Sequence, residues 1–112
     1  MPEISWDDFE KVEIRVGEIV EAEPFPEARR PAIKLTVDFG ETFGTRKTSA
    51  QLTAHYDPEA LIGRQVVAVM NFPPKRIAGF KSEVLVLGVP DIDGEVVLLS
   101  PDKTVPLGGR MF

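Results

Sequence analysis

The sequence predicts an all-β fold with one or two short helices: a five-stranded barrel with terminal extensions. Three observations predict it. Short β-branched runs are punctuated by Gly and Pro along the whole chain, the pattern of several short strands. The stretch AIKLTVDFG alternates, with Ile33, Leu35, Val37 and Phe39 on one face and Lys34, Thr36 and Asp38 on the other. The elements also run in the order three strands, a helix, then two or more strands. That is the order of an OB-fold, in which a helix between strands three and four closes one end of the barrel.

Taken in turn, SWDDFEKV predicts a short helical turn capped by Ser5, with Asp7 and Asp8 where the helix dipole favours negative charge. VEIRVGEIVEAE places Val12, Ile14 and Val16 opposite Glu13 and Arg15, and Gly17 predicts a bulge or sharp bend in that strand. AIKLTVDFG is the second strand and TRKTSAQL the third. AHYDPEALIG predicts the helix, with Asp57 as N-cap, Pro58 at the first position and Gly63 as the stop. QVVAVMNF is apolar throughout and predicts a central strand buried on both sides. SEVLVLGV is the fifth strand, and EVVLLS a sixth that pairs with it through the PDIDG turn.

A chain of 112 residues, 43% hydrophobic and 28% charged, fits one domain spanning residues 1–112. With no cysteine and one histidine, a disulfide framework and a Cys/His zinc site are both excluded. No apolar run reaches the roughly 20 residues of a bilayer span, so no membrane insertion is expected. The acidic start MPEISWDDFE lacks the marks of a signal peptide, and a cytoplasmic location is the expectation.

The net charge of -5 argues against a general polyanion binder, but the charges are unevenly placed. Residues 29 to 82 hold nine bases and four acids, whereas both flanking segments are strongly acidic. The island comprises Arg29, Arg30 and Lys34, then Arg46 and Lys47, then Lys75, Arg76 and Lys81. In a small barrel such positions can converge into a groove that tracks a phosphate backbone. Phe72 and Phe80 flank the last cluster as candidates for base stacking, with core packing as the other reading of each.

Catalytic constellations are weak. Ser49, His55 and Asp57 lack a nucleophile elbow, the pairs Asp7/Asp8 and Asp91/Asp93 sit in turns, and DIDGE lacks the helix and distal Glu of a calcium loop. No phosphate loop is present either, so neither an enzyme nor a cofactor is expected.

VEIRVGEIVEAEPFPEA, LTVDFGE, LIGRQVVAVMNFPP and GFKSEVLVLG together resemble the tRNA-binding domain family, from about Phe9 onward. That family occurs as an appendix of methionyl-tRNA synthetases and as small free-standing proteins. FPEAR, PAIKL, TSAQ and NFPPKRIAGFKSEVLVLG are similar to the wording of the free-standing CsaA type, described as protein-export chaperones. The resemblance implies an OB-fold homodimer that binds tRNA and interacts with unfolded preproteins. Asn71, Pro74, Lys75, Arg76, Gly79 and Ser82 keep the pattern of the synthetase appendices, which carries Asn71, Lys75, Arg76 and Ser82 over as RNA contacts or loop-shaping residues.

Against that pattern, Pro73 and Ala78 replace cations, Glu83-Val84-Leu85 replaces Gln-Gly-Met, Phe25 replaces a histidine, and Lys81 stands where an acid is common. Loss of about two phosphate contacts implies weaker RNA binding with a flatter salt dependence. The same changes leave an apolar strip containing Phe72, Ile77 and Phe80, rimmed by Lys and Arg and suited to extended hydrophobic peptides; covering the barrel's open end is the other reading. A peptide-binding export chaperone without significant tRNA binding is therefore the alternative function. Trp6 near the start and the Met111–Phe112 pair at the end suggest docking onto a partner subunit, with packing inside one chain as the alternative.

Overall fold

The computed structural model describes all 112 residues. In chain order the elements are α1 (Trp6–Glu10), β1 (Ile14–Pro24), β2 (Ile33–Asp38), β3 (Thr45–Ala50), α2 (Pro58–Leu61), β4 (Gln65–Val69), β5 (Lys75–Ile77), β6 (Phe80–Ser82), β7 (Leu85–Val86), β8 (Gly88–Pro90) and β9 (Val96–Leu98). Five strands form an antiparallel sheet in the order β3-β2-β1-β4-β7, while β5–β6 and β8–β9 are separate hairpins.

The sheet curls into a nearly closed barrel because its two edges meet. The Glu83 N–H donates to the Lys47 carbonyl at 2.7 Å, and the buried Thr48 hydroxyl donates to the Val84 carbonyl at 2.7 Å. Thr48 is the one buried polar residue, and its hydroxyl, also 3.1 Å from the Ser82 hydroxyl, is satisfied by the seam it helps to form. A second closure occurs at β1, whose first residues pair with β4 on one edge and with the C-terminal segment on the other: Val16 N–H donates to the Gly109 carbonyl at 3.0 Å and Met111 N–H to the Ile14 carbonyl at 2.8 Å.

The alternation of β2 fills the barrel. Ile33, Leu35, Val37 and Phe39 are buried together with Ile19, Leu61, Val66 and Ala68. At Gly17 the predicted bend is not what the residue supplies: a Cβ there would lie 2.5 Å from Val37 Cγ1 and 2.7 Å from the Phe39 ring. The glycine lets β1 pass over Phe39, and the register shift of the strand falls between Ile19 and Glu21.

Both helices start at the expected signals. Ser5 and Asp8 form a reciprocal capping box, whereas Asp57 occupies the N-cap of α2 without a side-chain bond and Pro58 opens that helix. The predicted stretch QVVAVMNF is an interior strand, between β1 and β7; at its start Val66 and Ala68 are enclosed while Gln65 and Val67 are only half so, and at its end Val69 is buried on the other face as well. SEVLVLGV is divided among the end of β6, β7 and β8, and β9 pairs with β8 as predicted, Val89 opposite Val97. Gly40 follows β2, Gly44 precedes β3 and Gly63 follows α2, each with positive φ, and no helix is long and apolar enough to cross a membrane.

Candidate nucleic-acid and peptide interface

A broad groove opens beside the β3–β7 seam. One bank is the β1–β2 loop with Arg29 and Arg30, the other is the β5–β6 hairpin with Lys75, Arg76 and Ile77, and the floor includes Leu52, Val84 and Leu85. Phe72, at the hairpin's entry, is 54% exposed and Leu85 49%. Apolar floor and cationic banks thus share one concavity.

Nothing in the sequence pattern predicts this hairpin. Lys75 pairs with Ser82, Arg76 with Lys81 and Ile77 with Phe80, and the connecting Ala78 and Gly79 both have positive φ, 47° and 81°. Two left-handed residues make the tight turn whose twist suits a two-residue hairpin. Ile77, Phe80 and Ser82 are half-buried toward the barrel, and Arg76 and Lys81 are exposed. Like charges directly opposite each other on a hairpin are destabilising, and no acid lies within ion-pair distance of either.

That absence extends to every cation singled out from the sequence. The ion pairs of the protein are Lys11–Asp8, Arg15–Glu13, Arg110–Glu13 and His55–Asp91, so Arg29, Arg30, Lys34, Arg46, Lys47, Lys75, Arg76 and Lys81 are all unpaired.

The island does not converge on one face. Lys34 and Lys47 point outward from β2 and β3 beside a small pocket that also contains Glu21, Glu23 and Phe80, where acids offset the cations. Arg46 pairs with Val37 on the opposite face of β3, toward the barrel interior, and its Nε donates to the Phe43 carbonyl at 3.3 Å. Asn71 is a brace: its Oδ1 accepts the Glu13 N–H at 3.0 Å and its Nδ2 donates to the Lys11 carbonyl at 2.7 Å. Ser82 lines the groove while its hydroxyl contacts Thr48.

Phe80 departs from the apolar strip. Its ring packs edge-on against the buried Phe25, centroids 5.4 Å apart, and Lys34 Nζ lies 4.6 Å from the Phe25 ring and 5.2 Å from the Phe80 ring. This cation–aromatic cluster fastens the hairpin to β2, and Phe72 is left as the aromatic side chain in the groove. Gln51, Leu52 and Glu83 also contribute to the lining and carry no sequence signal, since they lie just outside the strands and only closure of the barrel brings them beside the hairpin.

At the opposite hairpin, His55 Nε2 lies 2.6 Å from Asp91 Oδ2, and so the histidine is engaged away from Ser49 and Asp57. Asp91 Oδ1 also accepts the N–H groups of Asp93 and Glu95. The hydrogen bond from His55, then that from the Glu95 N–H, hold the Asp91 carboxyl below its ordinary value.

The family profile described as "Putative tRNA binding domain" matches residues 14–110. The chain belongs to the tRNA-binding domain family. It is 42% identical over 108 residues to a methionine–tRNA ligase of Methanococcus aeolicus, which covers 96% of this chain and 15% of the ligase. With the ligase of Bacillus subtilis it shares 38% over 111 residues, 99% of the chain and 16% of the ligase. The chain therefore spans about a sixth of these relatives' length, and what it shares with them is the non-catalytic tRNA-binding domain.

Among solved structures, a chaperone CsaA from Bacillus anthracis matches with a TM-score of 0.91 at 54% identity, over 99% of this chain and all 100% of that one. A CsaA chaperone protein from Picrophilus torridus matches at 0.90 and 48%, over 98% and 100%. The tRNA-binding domain is thus CsaA-like along its full length and OB-like in its barrel.

Proposed function

We propose that this is a homodimeric tRNA-binding protein of the CsaA type that also acts as a molecular chaperone, holding unfolded preproteins in the cytoplasm. The observation that carries this reading is the joining of unpaired Arg29, Arg30, Lys75 and Arg76 to the apolar lining of a single open groove. Unpaired guanidinium and ammonium groups are free to replace counterions on a phosphate backbone. An exposed apolar floor is suited to extended polypeptide. Family membership supports the first activity, and likeness to structures named as chaperones supports the second.

The alternative, a chaperone without significant tRNA binding, draws on Pro73 and Ala78, which place no cation at the entry or the turn of the hairpin. For the homodimer the support lies at the chain ends. Trp6 and Phe112 are 65% and 99% exposed, and the ends are adjacent, with Arg110 donating to the Glu10 carbonyl. Apolar residues exposed together are stabilised by a second copy.

The test is fluorescence anisotropy of labelled tRNA across a salt series, with an unstructured peptide as competitor and sedimentation of the same samples for the dimer. Wild type should bind, and Lys75→Glu with Arg76→Glu should lose binding, with a salt slope lowered by about two units. Equal binding by the charge-reversed protein would sink the RNA assignment. A monomer at every concentration would remove the dimer.

A further inference from the structure

Glu83 is the one carboxylate among the residues that line the groove, a lining that also includes Arg29, Arg30, Lys75 and Arg76. It pairs with none of them. Instead its Oε1 accepts the Lys47 N–H at 3.1 Å, which fixes the side chain against the seam and leaves Oε2 without a hydrogen bond. Fastening the seam needs an acceptor and not a charge, because a neutral amide oxygen could receive the same N–H. The charge is therefore not required by the seam, and it borders the groove.

A fixed carboxylate repels a phosphate brought within a few ångströms and attracts N–H donors and ammonium groups. We propose that Glu83 is the specificity-determining residue of this groove: it keeps RNA phosphates off the groove wall and admits polypeptide. RNA is then held at the cationic bank by Arg76 and by Lys81, which lies opposite it on the exposed face of the hairpin and outside the groove lining. This inference rests on the proposed reading of the groove as a binding site.

The experiment compares wild type, Glu83→Gln and Glu83→Ala in tRNA anisotropy, in binding of a lysine-containing unstructured peptide, and in thermal melting. Glu83→Gln keeps the acceptor for Lys47 and removes the charge. It should bind tRNA about three- to tenfold more tightly at low salt, with the gain shrinking as salt rises and peptide affinity falling. Glu83→Ala should gain tRNA affinity as well, although it melts lower for want of the seam bond. A Glu83 that matters only to the seam would instead lose tRNA affinity and stability together in Glu83→Ala and change nothing in Glu83→Gln, and that result overturns the proposal. Binding gained by Glu83→Gln where wild type shows none would support the filter while removing tRNA as a wild-type ligand; no binding by either overturns both readings.

Discussion

In β2 every second residue is buried, with Ile33, Leu35 and Val37 enclosed by β1, β3 and the far wall; in the β5–β6 hairpin no residue is buried, and Arg76 faces Lys81 across the strands. Each β2 residue is stabilised by its neighbours. The hairpin carries two features that lower its own stability, a cation pair of like sign and a non-glycine residue, Ala78, at φ 47°. It stays in place through contacts borrowed from the barrel: Phe80 on Phe25, Lys34 over both rings, and Ser82 against Thr48. The difference separates a wall built for packing from an arm built to present charge.

The sharpest way to break that contrast is to shorten one phenylalanine from each region. Phe39→Ala, at a fully buried site beneath Gly17, should cost about 3–5 kcal/mol of stability in chemical denaturation. Phe72→Ala should shift stability by no more than about 0.5 kcal/mol while reducing suppression of a client's aggregation. If Phe72→Ala destabilised as much as Phe39→Ala, the groove would be core and the contrast lost.

A smaller effect is expected at the turn. Ala78→Gly relieves a left-handed alanine, and amide exchange should show the hairpin more protected by roughly 0.5–1 kcal/mol, with little change in global unfolding. Loss of protection would mean that the alanine is not strained there.

The smallest effect lies at the β8–β9 hairpin. Because the Asp91 carboxyl is held below its ordinary value of 3.8, its contacts stabilise the fold above that pH and the contribution fades as pH falls through the lowered value. Asp91→Asn should therefore melt below wild type at neutral pH and converge with it in strong acid. A gap between the two that persisted at the acid end would point to packing and not to charge.

How much of this was legible follows from which interactions are local. The alternation of Ile33 to Phe39, the Ser5 cap, the Asp57-Pro58 helix start and the PDIDG turn each act over a few residues, and the fold class and the order of elements along the chain follow from them. The β5–β6 hairpin was hidden because an Ala-Gly turn after Pro73-Pro74 lacks the usual turn residues. The cations themselves are visible in the sequence, but their sorting among faces depends on register. Arg46 faces inward because it pairs with Val37, Asn71 is consumed by Lys11 and Glu13, and Lys34 sits over the Phe25 ring and over that of Phe80, which lies far away in sequence. Gly17 reads as a bend because nothing local signals Phe39 beneath it.

The pairing of Ile14 and Val16 with residues 108–111 has a consequence for the order of folding. The first strand of the barrel has one edge that only residues more than ninety positions later can cover, as the 93-residue separation of Arg15 and Gly108 in their hydrogen bond measures. During vectorial synthesis the β1 edge is exposed until that segment emerges, and an uncovered edge is a template for pairing with other chains. Formed first, this contact would close a loop of nearly the whole barrel at a large chain-entropy cost; formed after the intervening strands are in place it closes only the short tail beyond β9, so the seal belongs at the end of folding.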